Sequence, residues 1–389
     1  MINDTEVSKN NLKLRYGMVG GGIGSFIGEV HRTAIRMLGN IDLVSGTFSR
    51  NYDNSLKTGD SLGLKTERIY KDYIEMAEKE AARKDKIDFV SIVTPNNLHY
   101  PVAKKFLENG INVVCEKPLV FEPCEAEELI RIAKANDLIL AVTYTYTGYP
   151  MVKEAREMVR NGAVGNIRFI YGEYTQDWLA SRVEEVNKQA SWRVEPERAG
   201  KSNVVGDIGS HIENVVSYIS GLEISSLCAS LDTFVEGRKL DDNAAILIHF
   251  NNGAKGIFWC SQIAIGHDND LKVRIYGDKG SLEWRQEEPN QLRFTKLGES
   301  TQIISRGRTE LYPNVKSFSK LPSGHPEGYF EAMRNVYSSI YDAIVAKKQG
   351  IDFTQYEFDF PKGEDGLKGV LFINKCVESS LNSGIWVKL

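Results

Sequence analysis

Long apolar runs are missing from this 389-residue chain. No stretch approaches the roughly 18 consecutive apolar residues that a membrane-spanning helix needs, so no membrane partner is expected. A basic surplus is missing too. Lys and Arg number 48 against 52 Asp and Glu, for a net charge of −4, which argues against the basic stripe of a nucleic-acid binder. Cysteine is scarce and unpatterned. The five residues, Cys115, Cys124, Cys228, Cys260 and Cys376, are odd in number and show no Cys-x-x-Cys spacing. They read as reduced thiols of a cytoplasmic protein, which excludes a disulfide frame and a zinc site. No internal repeat, low-complexity tract or long linker is present. Met1–Asn11 is polar and has no apolar signal core, which predicts a flexible extension over 1–11 and no export.

What is present is ordinary in amount and ordered in arrangement. An apolar fraction of 42% and a charged fraction of 26% suit a soluble globular protein, and the length accommodates two domains. Over residues 12–145, short apolar β-rich runs alternate with helical periodicity. Strands are expected at Leu12–Val19, Ile41–Phe48, Arg68–Tyr70, Asp88–Thr94, Ile111–Cys115 and Leu138–Val142. Helices are expected between them, one starting at Glu122-Pro123. This pattern predicts a doubly wound parallel sheet, an α/β dinucleotide-binding domain of the Rossmann type.

The first turn carries the phosphate-binding signal. Gly20-Gly21-Gly22-Ile23-Gly24 follows a strand and leads into a helix with Val30, Ala34, Ile35 and Leu38 on one face. Gly20, Gly22, Ile23 and Gly24 make a candidate cradle for a pyrophosphate at the helix amino terminus. Strict G-x-G-x-x-G spacing puts its third glycine at Ser25, so Gly24 and Gly28 point to a longer turn. At the end of the second strand stand Ser49 and Arg50, with no acid until Asp53. An acid there grips the 2′-hydroxyl of NAD, whereas an arginine accepts the 2′-phosphate of NADP or stacks on adenine. The cofactor reads as NAD or NADP.

The stretch Ile111-Asn112-Val113-Val114-Cys115-Glu116-Lys117-Pro118 ends a buried strand with a lysine in a proline-pinned turn. Ligands of open α/β sheets bind at the carboxyl ends of the strands. Lys117 is thus a candidate working group beside the alternative of a plain surface turn.

From residue 146 the pattern changes. A helix over 152–161 precedes strand-like runs at 167–176, 223–235, 244–250, 254–264, 271–276 and 281–285. Asn251-Asn252-Gly253 and Gly277-Asp278-Lys279-Gly280 are hairpin signals. Helices over 327–348 and 366–382 close the chain. This predicts an α+β domain over 146–389 with a large, mostly antiparallel open sheet, whose uncovered face suits a homodimer or homotetramer interface. Within it, Asp207-Ile208-Gly209-Ser210-His211 precedes an apolar helical run. Asp207 reads as the helix N-cap, with His211 one turn on, a spacing that allows an acid–base pair. A third ligand at suitable spacing is lacking, so no metal is expected.

Taken together, the glycine turn, Thr94-Pro95-Asn96 with His99, Glu116-Lys117-Pro118 and Asp207-x-x-x-His211 resemble in order and spacing the Gfo/Idh/MocA family of nicotinamide-dependent oxidoreductases. Gln176-Asp177-Trp178, Ser191-Trp192-Arg193 and His325-Pro326-Glu327-Gly328-Tyr329 resemble its sugar and polyol dehydrogenases of the levoglucosan dehydrogenase-like subgroup. The resemblance implies a catalytic trio of Lys117, Asp207 and His211. It implies cofactor contacts from Thr94, Pro95, Asn96, His99, Glu116 and Lys117, and a cis peptide before Pro118. The implied activity is hydride transfer between the nicotinamide and a hydroxyl or keto group of a sugar, cyclic polyol, glycoside or anhydrosugar. His211 would take the proton, oriented by Asp207, and Lys117 would hydrogen-bond the reacting oxygen. Tyr146, Trp178, Trp192, Arg193 and His325 are candidate substrate contacts, since aromatic faces stack on sugar C–H surfaces; the alternative for each is packing. Two rival readings are an NAD-dependent glycoside hydrolase of the same fold and a non-catalytic dinucleotide sensor.

Overall fold

The structure, a computed structural model, describes residues 12–308, 310–351 and 358–389. The extension expected over 1–11 lies outside the described residues. The chain divides into two units. One comprises the described residues of Met1–Thr145 and Met333–Leu367, the other Tyr146–Ala332 and Lys368–Leu389. Residues 333–367, expected in the second domain, therefore group with the first. The reason is polar as well as apolar: Tyr337 bonds His31 and Ser91, and the Val142 N–H donates to Pro361 O at 2.9 Å.

The first unit begins as β1 (Leu14–Gly20), α1 (Phe26–Arg36), β2 (Ile41–Thr47), α2 (Tyr52–Ser61), α3 (Tyr73–Ala81), β3 (Phe89–Val93), α4 (His99–Glu108), β4 (Asn112–Cys115), α5 (Pro123–Ala135) and β5 (Leu140–Val142). Its five strands are parallel in the order β2-β1-β3-β4-β5. Every residue of β3 and β5 is buried, as in a sheet covered on both faces. The order reverses at β1, so the carboxyl ends of β1 and β3, at Gly20 and Val93, form the switch point where such sheets bind ligands. Helix α5 starts as expected at Pro123, behind a capping box between Glu122 and Glu125.

The expected strand Arg68–Tyr70 is reduced to one residue. Thr66–Arg68 is a 3₁₀ turn, and only Ile69 bridges to Gly46. The buried Arg68 guanidinium bends the chain toward Glu80, to which its Nε donates at 3.0 Å, and the Tyr70 hydroxyl donates to the same carboxylate at 2.8 Å. A buried ion pair has to be satisfied in this way on all sides, and that requirement outweighs continued strand pairing.

The chain continues through α6 (Pro150–Arg160), β6 (Ile167–Thr175), α7 (Lys188–Arg193), α8 (Pro196–Ala199), α9 (Ser210–Ser220), β7 (Ile224–Asp232), β8 (Asn243–Phe250), β9 (Lys255–Ser261), β10 (Asp270–Gly277), β11 (Gly280–Arg285), β12 (Gln291–Lys296) and β13 (Gln302–Ser305). It ends with α10 (Pro313–Lys316), α11 (Tyr329–Lys348), α12 (Gly363–Leu381) and β14 (Val387–Lys388). The second unit holds a nine-stranded sheet in the order β13-β12-β11-β10-β6-β9-β8-β7-β14, antiparallel except for the β6–β9 pair. Strands β12, β13 and β14 were not expected: β13 and β14 are the short edges of the sheet, and β12, next to one edge, has Leu292 as its single buried residue. One sheet face buries Ile170, Ile246, Phe258 and Ile275 against Val152 and Ala155 of α6 and Ile212 and Val216 of α9. On the other face Leu247 is 46% and Tyr276 41% exposed.

Candidate active site

The glycine turn fits a dinucleotide pyrophosphate, and the structure divides the labour among its glycines. Gly20 and Gly21 have φ of +87° and +72°, in the left-handed region. A Cβ on Gly20 would lie 2.8 Å from Val93 O, one on Gly22 2.8 Å from Phe48 O, and one on Gly28 2.4 Å from Gly21 Cα. Gly28 therefore takes the third glycine's part, close packing of helix on turn. Ser25, at the strict third position, is instead the N-cap of α1, accepting from the Gly28 N–H at 3.2 Å. The cradle is a space that side chains would fill, opening at a capped helix amino terminus, which suits an anion. Gly24 turns with φ of +78° in open space, and Ile23 is 66% exposed. Arg32 braces the turn from below, donating to Gly21 O at 2.6 Å.

After β2, Ser55 Oγ accepts the Phe48 and Ser49 N–H groups at 3.1 and 2.9 Å and holds the connection in place. Arg50 is exposed there, and Asn51 caps α2.

At the end of β4 the Glu116 carboxylate is nearly buried. Its Oε1 accepts from His31 Nε2 at 2.8 Å and from the Thr143 hydroxyl, and its Oε2 from the Lys117 N–H at 3.3 Å. Burial opposes the charge, yet the His31 hydrogen bond, the charges of His31 and Lys117 and the Thr143 hydroxyl outweigh it and pull the carboxyl down to about 2. The Lys117–Pro118 peptide is cis, as expected. Lys117 is half-buried, as are Thr94, Pro95 and Asn96 beyond β3.

His99 lies deeper than Thr94, Pro95 and Asn96. It is fully buried, with Nδ1 2.8 Å from Pro118 O and Nε2 3.0 Å from Thr94 O. Burial lowers its affinity for a proton, against the pull of the two carbonyls. Both nitrogens face backbone carbonyls, so His99 braces the loops bearing Thr94 and Lys117.

In the second unit Asp207 is not the expected N-cap. The helix starts earlier, in a π-helical turn over Val205–Gly209 that runs into α9. Its first donors are met by other groups: Ser202 Oγ accepts the Val205 N–H at 3.1 Å, and Asp241 accepts the Asn203 and Val204 N–H groups at 3.1 and 3.0 Å. The Asp207 carboxylate turns elsewhere. Its Oδ2 accepts from Gln262 Nε2 at 2.9 Å and from Arg193 Nε at 3.2 Å. π-turns recur at functional sites because they re-aim side chains.

His211, one turn on, is 5% exposed, with the Tyr146 ring edge-on at 4.7 Å. The Tyr146 and Tyr174 hydroxyls bond one another, and Tyr174 also donates to Asn269 Oδ1 at 2.7 Å. Asn269 Oδ1 accepts from Gln176 Nε2 at 2.6 Å, and Gln176 Oε1 accepts the Trp178 indole N–H at 2.8 Å. The Arg193 guanidinium lies over Trp192 at 4.5 Å and Trp178 at 5.9 Å.

Asp207, His211, Tyr146, Trp178, Trp192 and Arg193 are thus brought together. His325 stands apart: it is exposed, and its carbonyl accepts from Arg306 of the buried Arg306–Glu327 pair. Sequence reasoning missed His31, Thr143 and Tyr337 around Glu116, and Gln262, Asn203 and Asp241 around Asp207. Gly28-x-x-His31 on an otherwise apolar helix stripe was the available signal for the first group. Nothing local marks Gln262 beyond its place after an apolar strand. Among the described residues no group of three or more His, Cys, Asp or Glu is arranged to hold a metal ion, and no helix is long and apolar enough to cross a membrane.

Comparison with known proteins agrees with this geometry in both units. The model of the oxidoreductase family with an NAD-binding Rossmann fold matches residues 14–144, and that of the GFO/IDH/MocA C-terminal domain matches residues 152–283. The uncharacterized oxidoreductase YfiI of Bacillus subtilis (strain 168) is 36% identical over 379 residues, 96% of this chain and 96% of that protein. An inositol dehydrogenase homolog from Azotobacter vinelandii, complexed with NADH and myo-inositol, is 36% identical with a TM-score of 0.92, over 97% of this chain and 98% of its own. Levoglucosan dehydrogenase in complex with NADH and levoglucosan is 25% identical with a TM-score of 0.83, over 97% of this chain and 99% of its own. Matched in both halves and along nearly its whole length, the chain belongs to the Gfo/Idh/MocA family of oxidoreductases, and its first unit carries that family's NAD-binding Rossmann fold.

Proposed function

We propose that this oxidoreductase interconverts a hydroxyl and a keto group on a cyclic polyol, sugar, anhydrosugar or glycoside. The observation that carries the reading is the Glu116-Lys117-Pro118 turn: a lysine beside an ionised carboxylate, at the carboxyl end of β4, in a sheet whose glycine turn fits a dinucleotide. When bound, the nicotinamide supplies the acceptor or donor of a hydride. Gly20, Gly22, Ile23 and Gly24 would hold the pyrophosphate, Ser49 and Arg50 the adenosine ribose, and Thr94–Asn96 and Glu116 the nicotinamide half.

The residues of this chain manage the proton. Oxidation of an alcohol releases one hydride from carbon and one proton from oxygen. His211 takes the proton as general base, and Asp207 stabilises the charge it gains. Arg193 and Gln262 keep Asp207 an acceptor, since both present donors to Oδ2. Lys117 donates to the reacting oxygen and offsets its developing negative charge. Trp178, Trp192 and Arg193 form an aromatic and cationic surface suited to sugar C–H faces and hydroxyls. The relatives bound to myo-inositol and levoglucosan support a polyhydroxylated ring as substrate.

The test is absorbance of reduced nicotinamide on mixing protein and cofactor with inositols, pyranoses, anhydrosugars and glycosides. Reduction with one of them is expected. Glycoside cleavage without net reduction would replace this reading with the hydrolase, and dinucleotide binding without either would replace it with the sensor.

NAD is proposed as the working cofactor, with Arg50 admitting NADP. Arg50→Ala is then expected to lower kcat/KM for NADP about tenfold, the scale of one charge-assisted phosphate contact, and to leave NAD nearly unchanged. An equal loss with both cofactors would assign Arg50 to the adenine.

Copies of the chain are proposed to pair through the uncovered sheet face, as a homodimer or homotetramer. Leu247, Tyr276 and Trp386, which stacks on His249 at 3.9 Å, leave apolar surface there. Leu247→Arg is expected to yield monomers in light scattering, and an unchanged mass would remove this face from the interface. The five free thiols go with a cytoplasmic setting in the same proposal.

A further inference from the structure

We propose that His31 is a positioning residue for Lys117, acting through Glu116. The inference rests on the role given to Lys117 above, but its argument lies within the first unit. Five side chains from five segments meet there: His31 on α1, Ser91 on β3, Glu116 after β4, Thr143 after β5 and Tyr337 on α11. His31, Ser91 and Tyr337 are fully buried. His31 Nε2 faces Glu116 Oε1 at 2.8 Å, and Nδ1 faces the Tyr337 hydroxyl at 2.6 Å and Ser91 Oγ at 3.2 Å. Ser91 and Tyr337 oxygens are 3.1 Å apart.

The directions follow from one fact. An ionised carboxylate only accepts, so the Nε2 of His31 carries the hydrogen. Nδ1 meets the Tyr337 hydroxyl, and that hydroxyl shares a second hydrogen bond with Ser91 Oγ. Thr143 supplies a second donor to Glu116. Glu116 Oε1 takes both His31 and Thr143, and the chain terminates on this carboxylate, whose Oε2 accepts the Lys117 N–H.

Packing alone does not require this. The neighbours on the same strands, Ile92, Val114 and Cys115, are apolar and fully buried, and a side chain of similar volume would fill the space without desolvating polar groups. What the network does is hold a negative charge one residue from Lys117, in one orientation. The same carboxylate accepts the Lys117 N–H, so the network fixes the turn from which the Lys117 side chain reaches the reacting oxygen. The titratable groups around the pair are His31 from α1, Tyr337 from α11, His99 from α4 and Cys115 on β4. Of these, His31 is the one that donates to the carboxylate.

Reductive methylation of the protein without cofactor, read at Lys117 by mass spectrometry across neutral to alkaline pH, tests the inference without relying on turnover. His31→Leu is expected to make Lys117 about tenfold more reactive at neutral pH. His31→Gln, which keeps a donor toward Glu116, should restore most of the wild-type profile. Glu116→Gln should shift Lys117 in the same direction, and adding His31→Leu to it should shift it no further. Tyr337→Phe provides a milder single change, expected to move the profile about threefold, should His31→Leu fail to fold.

A wild-type Lys117 profile in folded His31→Leu or Tyr337→Phe protein overturns the inference, as does a further shift in the double variant. Unchanged turnover in Lys117→Ala would instead remove the catalytic reading and leave the labelling result standing on its own.

Discussion

Lys117→Ala and His211→Ala are each expected to lower kcat by about a thousandfold or more while leaving dinucleotide affinity within a few-fold. A thousandfold is about 4 kcal/mol of transition-state stabilisation, the scale of losing one preorganised donor or the proton acceptor. The two losses should be separable from folding. Lys117 is half-buried and its backbone N–H is held by Glu116, so truncation removes the ammonium and leaves that contact. His211 is buried against the Tyr146 ring, so its truncation opens a small cavity and lowers the melting temperature in addition.

Single-turnover kinetics with the substrate found in the panel, together with calorimetric titration of NAD, distinguish the effects. Near wild-type rates in both variants would sink the assignment. A loss of NAD affinity as large as the loss of rate would show that the residues hold the cofactor and do not serve the chemistry.

Much of the parallel sheet was legible because burial on both faces writes itself as unbroken apolar runs. Phe89–Val93 and Val113–Cys115 are of that kind, and both strands are where the pattern put them. Strands at and beside the edges carried less signal: β12 has one buried residue and β14 has two residues in all, so alternation could not declare them. Arg68–Tyr70 looked like a strand because nothing local reveals that Arg68 turns to Glu80.

Around Asp207 the residue types pointed to the wrong contact. An Asp before a helical run reads as a cap, but the cap here is built by Ser202 and by Asp241 from a later loop. Only the fold shows that Asp207 is left to Arg193 and Gln262. The same limit applied to Glu116. His31 and Tyr337 are 306 residues apart and meet beneath it, so neither could be joined to Glu116 by spacing. Lys117 stood out as a candidate because a charged residue ending an apolar strand is out of place unless a ligand calls for it.

Gly28→Ala is expected to weaken dinucleotide binding by about a hundredfold, the second large effect, although Gly28 need touch no ligand. The added Cβ would sit 2.4 Å from Gly21 Cα and 3.0 Å from Gly21 O. Those are backbone atoms of a turn with two left-handed glycines, and they have no rotamer by which to yield. Either α1 backs away from the turn or the turn collapses toward the cradle. In both cases the N–H groups at the start of α1 lose their aim, and anion binding at a helix terminus depends on that aim. Arg32, which ties α1 to Gly21 O at 2.6 Å, would be pulled along. Gly39→Ala is the control. Gly39 has φ of +78°, in the same region as Gly21, but nothing lies within 4 Å of its Cβ direction. It is expected to cost about 1 kcal/mol of backbone strain and to leave NAD affinity alone. Melting curves and NAD titrations of the two variants decide the matter. Equal loss of affinity in both would attribute it to strain, whereas loss confined to Gly28→Ala would attribute it to the contact of helix on turn.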